Sequence, residues 1–133
     1  MNNEEDIDLG SLYRYEAENK VKWFEGLMLR SIGEILLNLD DQHMNEAEDW
    51  IKKAIEADNR NGIMWYLGRD YALYAELLKR KGDQSSAKEN LSKAIEIFKE
   101  CGADGWMRKA EEELTLLSQW SFVKVYWRKK EMP

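Results

Sequence analysis

The sequence predicts an all-α fold, a solenoid of antiparallel helical hairpins. Three observations lead there. First, the chain repeats itself. Ala47-Glu48-Asp49-Trp50-Ile51-Lys52-Lys53-Ala54-Ile55-Glu56 returns forty residues later as Ala87-Lys88-Glu89-Asn90-Leu91-Ser92-Lys93-Ala94-Ile95-Glu96, with Lys-Ala-Ile-Glu identical in both copies. Second, Trp23, Trp65 and Trp106 keep nearly the same period, and so do Ile32-Gly33-Glu34-Ile35-Leu36 and Tyr74-Ala75-Glu76-Leu77-Leu78. A period of this size marks stacked helical units. Third, the only proline is Pro133, so nothing internal breaks a helix.

The elements follow in order. Residues 1–10 read as a flexible acidic leader, with Glu4, Glu5, Asp6 and Asp8, a charge pattern wrong for a signal or transit peptide. Ser11 is the expected cap of a first helical segment through about Asn19. From Lys20 to Leu39 the apolar residues Val21, Trp23, Phe24, Leu27, Met28, Ile32, Ile35, Leu36 and Leu39 fit helical spacing. Asp40-Asp41-Gln42-His43-Met44 reads as the turn. Asn45 is the expected cap of the next helix, with Glu48 as its capping-box acid. That helix runs to about Asp58 with Ala47, Ile51, Ala54 and Ile55 inward.

Asn59-Arg60-Asn61-Gly62 forms the second turn. The helix from Ile63 to Lys81 sets Leu67, Gly68, Tyr71, Tyr74, Ala75 and Leu78 on one face. Gly82-Asp83 ends it, because glycine accepts the left-handed conformation. Ser85 to Glu100 repeats the small-residue helix, with Ala87, Leu91, Ala94, Ile95 and Phe98 inward. Cys101-Gly102-Ala103-Asp104-Gly105 turns into a capping helix of about 104–118. The repeat domain is thus 11–118, with repeats at about 20–58 and 62–100. Residues 119–133 are an aromatic and basic tail. It either continues the last helix, packs back on the array or frays, and its aromatics Trp120, Phe122, Tyr126 and Trp127 favour packing.

Charge and composition exclude several functions. The net charge is −6 while the tail contributes +3, so residues 1–119 carry −9, which repels nucleic acid and anionic membrane. No apolar run approaches the roughly 18 residues of a membrane span. A cytoplasmic, bacterial protein is the expectation. Cys101 is the single cysteine, so the chain has no internal disulfide. It reads as a small apolar filler near a helix end. His43, the only histidine, falls in a turn and reads as a solvent-exposed loop residue, since a catalytic histidine needs an orienting partner and a cleft. Glu111-Glu112-Glu113 cannot converge on one ion, because adjacent helical positions diverge by about 100°. No phosphate-binding glycine motif occurs. The expectation is a protein that is not an enzyme, with no cofactor and no metal.

These residues resemble tetratricopeptide (TPR) repeats. Tyr71, Tyr74, Ala75 and Leu78 stand at the first-helix positions of that motif, Ala87, Leu91 and Ala94 at those of the second, and Gly82-Asp83 at its turn. Leu29, Ile32, Gly33 and Leu36, then Ala47, Ile51 and Ala54, match one unit earlier. Small residues there let two helices approach within about 8–10 Å. The unit exceeds the usual 34 residues by lengthening its first helix. Long repeats of this kind are similar to the C-terminal repeats of bacterial signalling proteins that join an ATPase module to a cyclase or a regulator. Ile32-Gly33-Glu34-Ile35-Leu36-Leu37, Glu46-Ala47-Glu48-Asp49-Trp50 and 99–106 carry that similarity. The resemblance implies a right-handed superhelix. It brings no ATPase or cyclase activity, since no such segment is present.

In such an array the first helices line a concave groove. The groove positions are Trp23, Leu27, Arg30, Glu34 and Leu37 in one unit, then Trp65, Arg69, Ala72, Glu76 and Lys79, continued by Trp106 and Ala110. Tryptophan and arginine dominate binding energy at many interfaces, and arginine grips carboxylates with two hydrogen bonds. The tryptophans suit inter-repeat packing as well as a groove, and the two arginines suit a solvated surface. The groove lacks the Lys/Asn/Arg clamp that holds acidic chaperone tails and carries Glu34 and Glu76 instead. The expected function is a non-catalytic scaffold binding a peptide or helix of a partner protein. A homodimer through end faces or the tail, and a sensor for a small ligand, are the alternatives. Binding to nucleic acid or membrane is not expected.

Overall fold

Five helices follow one another with short links in the computed structural model, which describes residues 9–131, with side chains from Lys22 to Gln119 and at a few positions before them. They are α1 (Leu9–Leu39), α2 (Met44–Asn61), α3 (Met64–Arg80), α4 (Gln84–Glu100) and α5 (Asp104–Glu131), with a 3-10 turn at Asp41–His43 between α1 and α2. No strand occurs among the described residues. No helix among them is long and apolar enough to cross a membrane. The expected acidic leader falls almost wholly on residues 1–8, outside the described residues.

Each helix packs on the next in the chain, and α1 also touches α3. The tight links have a chemical cause. Gly62, Gly82 and Gly102 take φ of 71°, 88° and 71°, the left-handed region where a side chain is strained. Asp83 opens α4 by accepting a hydrogen bond from the Ser86 amide at 3.1 Å.

The small-residue helices bury the predicted stripe. Ala47, Ile51, Ala54, Ala87, Leu91 and Ala94 are at most 2% exposed. Their neighbours make room. A Cβ on Gly33 would stand 2.7 Å from Ile51 Cγ1, and one on Gly68 would stand 2.6 Å from the Phe98 ring. One core runs from Leu37 and Ile51 through Leu77, Leu91 and Phe98 to Ala110 and Leu117.

Several local expectations are corrected. No break separates a segment ending near Asn19 from the next: α1 runs unbroken from Leu9 to Leu39. α2 starts at Met44 rather than after an Asn45 cap. No side chain caps α2; Asp40 caps the 3-10 turn before it, accepting from the His43 amide at 3.0 Å, and His43 Nδ1 lies 2.6 Å from the same oxygen. Those bonds hold Asp40 below the usual carboxylate range. Asn45 and Glu48 instead take Lys81, the residue that follows α3. Cys101 is exposed, not a filler. The tail does not fold back as favoured: its backbone extends α5 to Glu131. Its aromatic side chains lie outside the described ones. On α1, Phe24, Met28, Ile35 and Leu39, placed at helical spacing without an assigned face, point outward.

Candidate functional site

The first helices of the units meet around one cavity. It holds about 310 Å³ and is lined by Arg30, Glu34, Leu37 and Asn38 of α1, by α3 from Arg69 to Arg80, and by Trp106, Lys109, Ala110 and Glu113 of α5. Spacing of three and four residues brings these side chains to one side of each helix. Of the predicted groove residues, Arg30, Glu34, Leu37, Arg69, Ala72, Glu76, Trp106 and Ala110 come together here. Lys79 lines a second cavity beside it. Leu27 is half-buried and stays apart. Trp23 is 58% exposed and Trp65 39%, so neither is core.

An aromatic ladder crosses four helices next to this cavity. Trp23 meets Tyr66 edge-on at 6.5 Å, Tyr66 leans on Trp65 at 5.3 Å, Trp65 meets Trp106 edge-on at 6.0 Å, and Trp106 lies 6.0 Å from Phe98. Two arginines use it differently. Arg69 is held between indoles, 5.3 Å from Trp65 and 4.6 Å from Trp106. Among the described residues its guanidinium makes no hydrogen bond or ion pair. Burial, with Arg30 nearby, pulls its pKa down from the ordinary arginine value. It stays a cation. It is a half-buried guanidinium whose donors are unspent.

Arg30 is the opposite case and corrects both of its expected roles. It is 3% exposed, neither a grip for a peptide nor a solvated charge. Its Nη1 donates to Asp70 Oδ1 at 3.2 Å and to the Tyr66 carbonyl at 3.4 Å, and its charge sits 5.1 Å above the Tyr66 ring. Asp70 and Asp58 are wholly buried, and both Asp58 oxygens and Asp70 Oδ2 lack a donor. Burial, then the facing Asp58 carboxyl, push Asp70 up to about 9, with Arg30 pulling the other way. A proton on Asp70 turns two facing acceptors into a donor and an acceptor. Gly26 makes the space, because a Cβ there would overlap the Asp58 carboxylate.

Other charges around the cavity are largely engaged. Arg80 donates to Glu76 at 3.1 Å, to the Leu37 carbonyl at 3.0 Å and to Asn38 Oδ1 at 3.1 Å, tying α3 to the end of α1. Glu76 also takes Lys79 at 3.3 Å. Burial raises Glu113, opposed by Lys109. Sequence reasoning missed Arg80, Lys109, Glu113 and Tyr66. The repeat alignment reaches α5 at Trp106 and Ala110; the same step from Ala72 falls on Glu113, which was passed over, whereas Lys109 aligns with Gly68 and gave no signal.

The second cavity, about 300 Å³, shares Glu76 and Glu113 with the first. Its walls are Ala75, Leu91, Leu116 and Leu117. No family model, curated protein or solved structure matches this chain.

Proposed function

We propose that this chain is a non-catalytic interaction module, a TPR-like solenoid of long hairpins whose groove holds a segment of a partner protein. Arg69 is the anchor for an acidic group of that segment. One observation carries the reading: a guanidinium clamped between Trp65 and Trp106, without an acceptor among the described residues, at the edge of a cavity of about 310 Å³. A partly desolvated cation with idle donors gains most from an incoming carboxylate, which it can grip with two hydrogen bonds. The clamp restricts the side chain in advance, so less entropy is lost on binding.

Two features support the solenoid part. Helices pack in chain order, and the first helices of successive units line one cavity. A cytoplasmic role in bacterial signalling rests on the sequence resemblance alone.

The test is a paired pull-down from native lysate with the wild type and Arg69→Glu, both first matched in helicity. Arg30→Glu is unsuitable, since it would set a third acid beside Asp58 and Asp70. The expected result is a partner captured by the wild type and lost with Arg69→Glu. Equal capture by both sinks the groove reading.

The pocket bounded by Ala75, Leu91, Leu116 and Leu117 favours a second reading, a sensor of a small apolar molecule. A thermal-shift screen separates the two, because a ligand at 100 times its dissociation constant adds about 2.7 kcal/mol of stability.

A further inference from the structure

We propose that the outer face of α1 is where two copies of this chain meet, as an antiparallel helix pair about a twofold axis. This inference stands apart from the groove reading. The face consists of Phe24, Met28, Ile35 and Leu39, which are 54%, 62%, 66% and 62% exposed. Spacings of four and seven residues keep them on one side of the helix. The opposite side holds Arg30, Gly33 and Leu37, buried under α2 and α3. A helix that is apolar on two sides needs cover on both.

The pattern of this face points to a second copy of the same surface. It is symmetric about the peptide bond joining Ser31 and Ile32: Phe24 and Leu39 are equally far from it, and so are Met28 and Ile35. A twofold axis at that point sets Phe24 of each copy against Leu39 of the other, and Met28 against Ile35. Every large apolar side chain meets an apolar partner. Ser31 is small, and its hydroxyl is already spent on the Leu27 carbonyl at 2.7 Å, so the helices can approach there without stranding a donor. Beside it Ser31, Glu34, Ile35, Asn38 and Leu39 border a shallow depression of about 470 Å³, open to a side chain of a second copy.

Size agrees. Four side chains of this kind, with their flanks, bury on the order of 1,000 Å² over two copies, the lower bound of a specific interface. A head-to-tail contact lacks this apolar match. The described part of α5 exposes only Leu116 among large apolar residues. The isologous pair also closes at two copies.

Sedimentation equilibrium of the full chain, from low to high micromolar concentration, tests this. The wild type is expected at the mass of two chains. Met28→Glu with Ile35→Glu is expected at the mass of one, with association weakened at least about a hundredfold and helicity unchanged. A wild type that remains single at high micromolar concentration overturns the proposal. So does a well-folded double variant that pairs as tightly as the wild type. Should the double variant unfold, Ser31→Cys in a Cys101→Ser background decides. The axis brings the two thiols together, so oxidation links two chains, while Lys93→Cys in the same background stays unlinked. Absence of the Ser31→Cys link overturns the proposal.

Discussion

The two hairpins hold different chemistry at the same place. Asp58 and Phe98 lie forty residues apart, the offset that superposes the two Lys-Ala-Ile-Glu runs, and Gly26 and Gly68 lie forty-two apart, the offset of the leading helices. In the α3–α4 hairpin Gly68 gives way to an aromatic ring that leads on to Trp106. In the α1–α2 hairpin Gly26 gives way to a buried carboxyl that leads on to Asp70 and Arg30. The same notch thus accepts an apolar plug or an ionisable network. The plug is stabilised by area removed from water. The network must satisfy its charges internally and is far more sensitive to losing one member.

The largest effects break one notch or the other. Phe98→Ala leaves a void in the middle of the core and is expected to cost about 3–5 kcal/mol in urea melts. Arg30→Met is expected to cost a similar amount, about 3–5 kcal/mol, because it strands buried carboxyls without a cation. Adding Asp58→Leu and Asp70→Leu to Arg30→Met converts the first notch to the chemistry of the second. Most of the lost stability should return. A triple variant as unstable as the single one would mean that packing, not charge, sets the cost.

Gly26→Ala comes next. The methyl group must displace the Asp58 carboxylate, an overpacking cost of about 1–3 kcal/mol. Better helix propensity returns at most about 1 kcal/mol. A net loss is therefore expected. An unchanged melt would show that Asp58 can move aside freely.

Asp58→Asn should go the other way. Its amide can donate to Asp70, so the pair no longer needs a proton. In the wild type the raised Asp70 means that the native chain keeps a proton which the unfolded chain releases above its ordinary value of 3.8. Stability from this group is therefore complete below about pH 4, falls as pH rises toward about 9, and is level beyond. Burial still raises Asp70, so the variant should keep part of that slope, lose the share that the Asp58 carboxyl adds, and gain about 1–2 kcal/mol at pH 8. Parallel stability profiles for the two proteins between pH 5 and 9 would refute the shared proton.

The repeat made much of this legible. Ala47, Ile51, Ala54 and their counterparts read as buried because period, size and spacing agree. The glycine turns read correctly because Gly62, Gly82 and Gly102 follow helical runs. Arg30 did not, since its partners lie far along the chain and a lone arginine among apolar residues reads as surface. One clue was present: an aspartate stands where the repeat elsewhere has phenylalanine. The outward setting of Phe24, Met28, Ile35 and Leu39 was not legible, because a helix apolar on two faces cannot be oriented from periodicity. For the cavity, the first two units and Trp106 and Ala110 were legible from the alignment, whereas Lys109 aligns with Gly68 and carried no signal.

The smallest effect on stability is expected at Arg69, and it sharpens the comparison most. Arg30 and Arg69 both lie on aromatic rings, yet only Arg30 has a counter-ion. Arg69→Ala removes two half-exposed cation–π contacts, about 1 kcal/mol or less in a urea melt. If the idle guanidinium exists for a partner, binding should fall far more than folding, and Arg69→Lys should not restore it. A lysine keeps the charge but lacks the planar fork that both the indole clamp and a bidentate carboxylate require. Rescue by lysine would reduce Arg69 to a diffuse positive charge. A loss of several kcal/mol in Arg69→Ala would make it a structural residue like Arg30, and the difference between the two arginines would disappear.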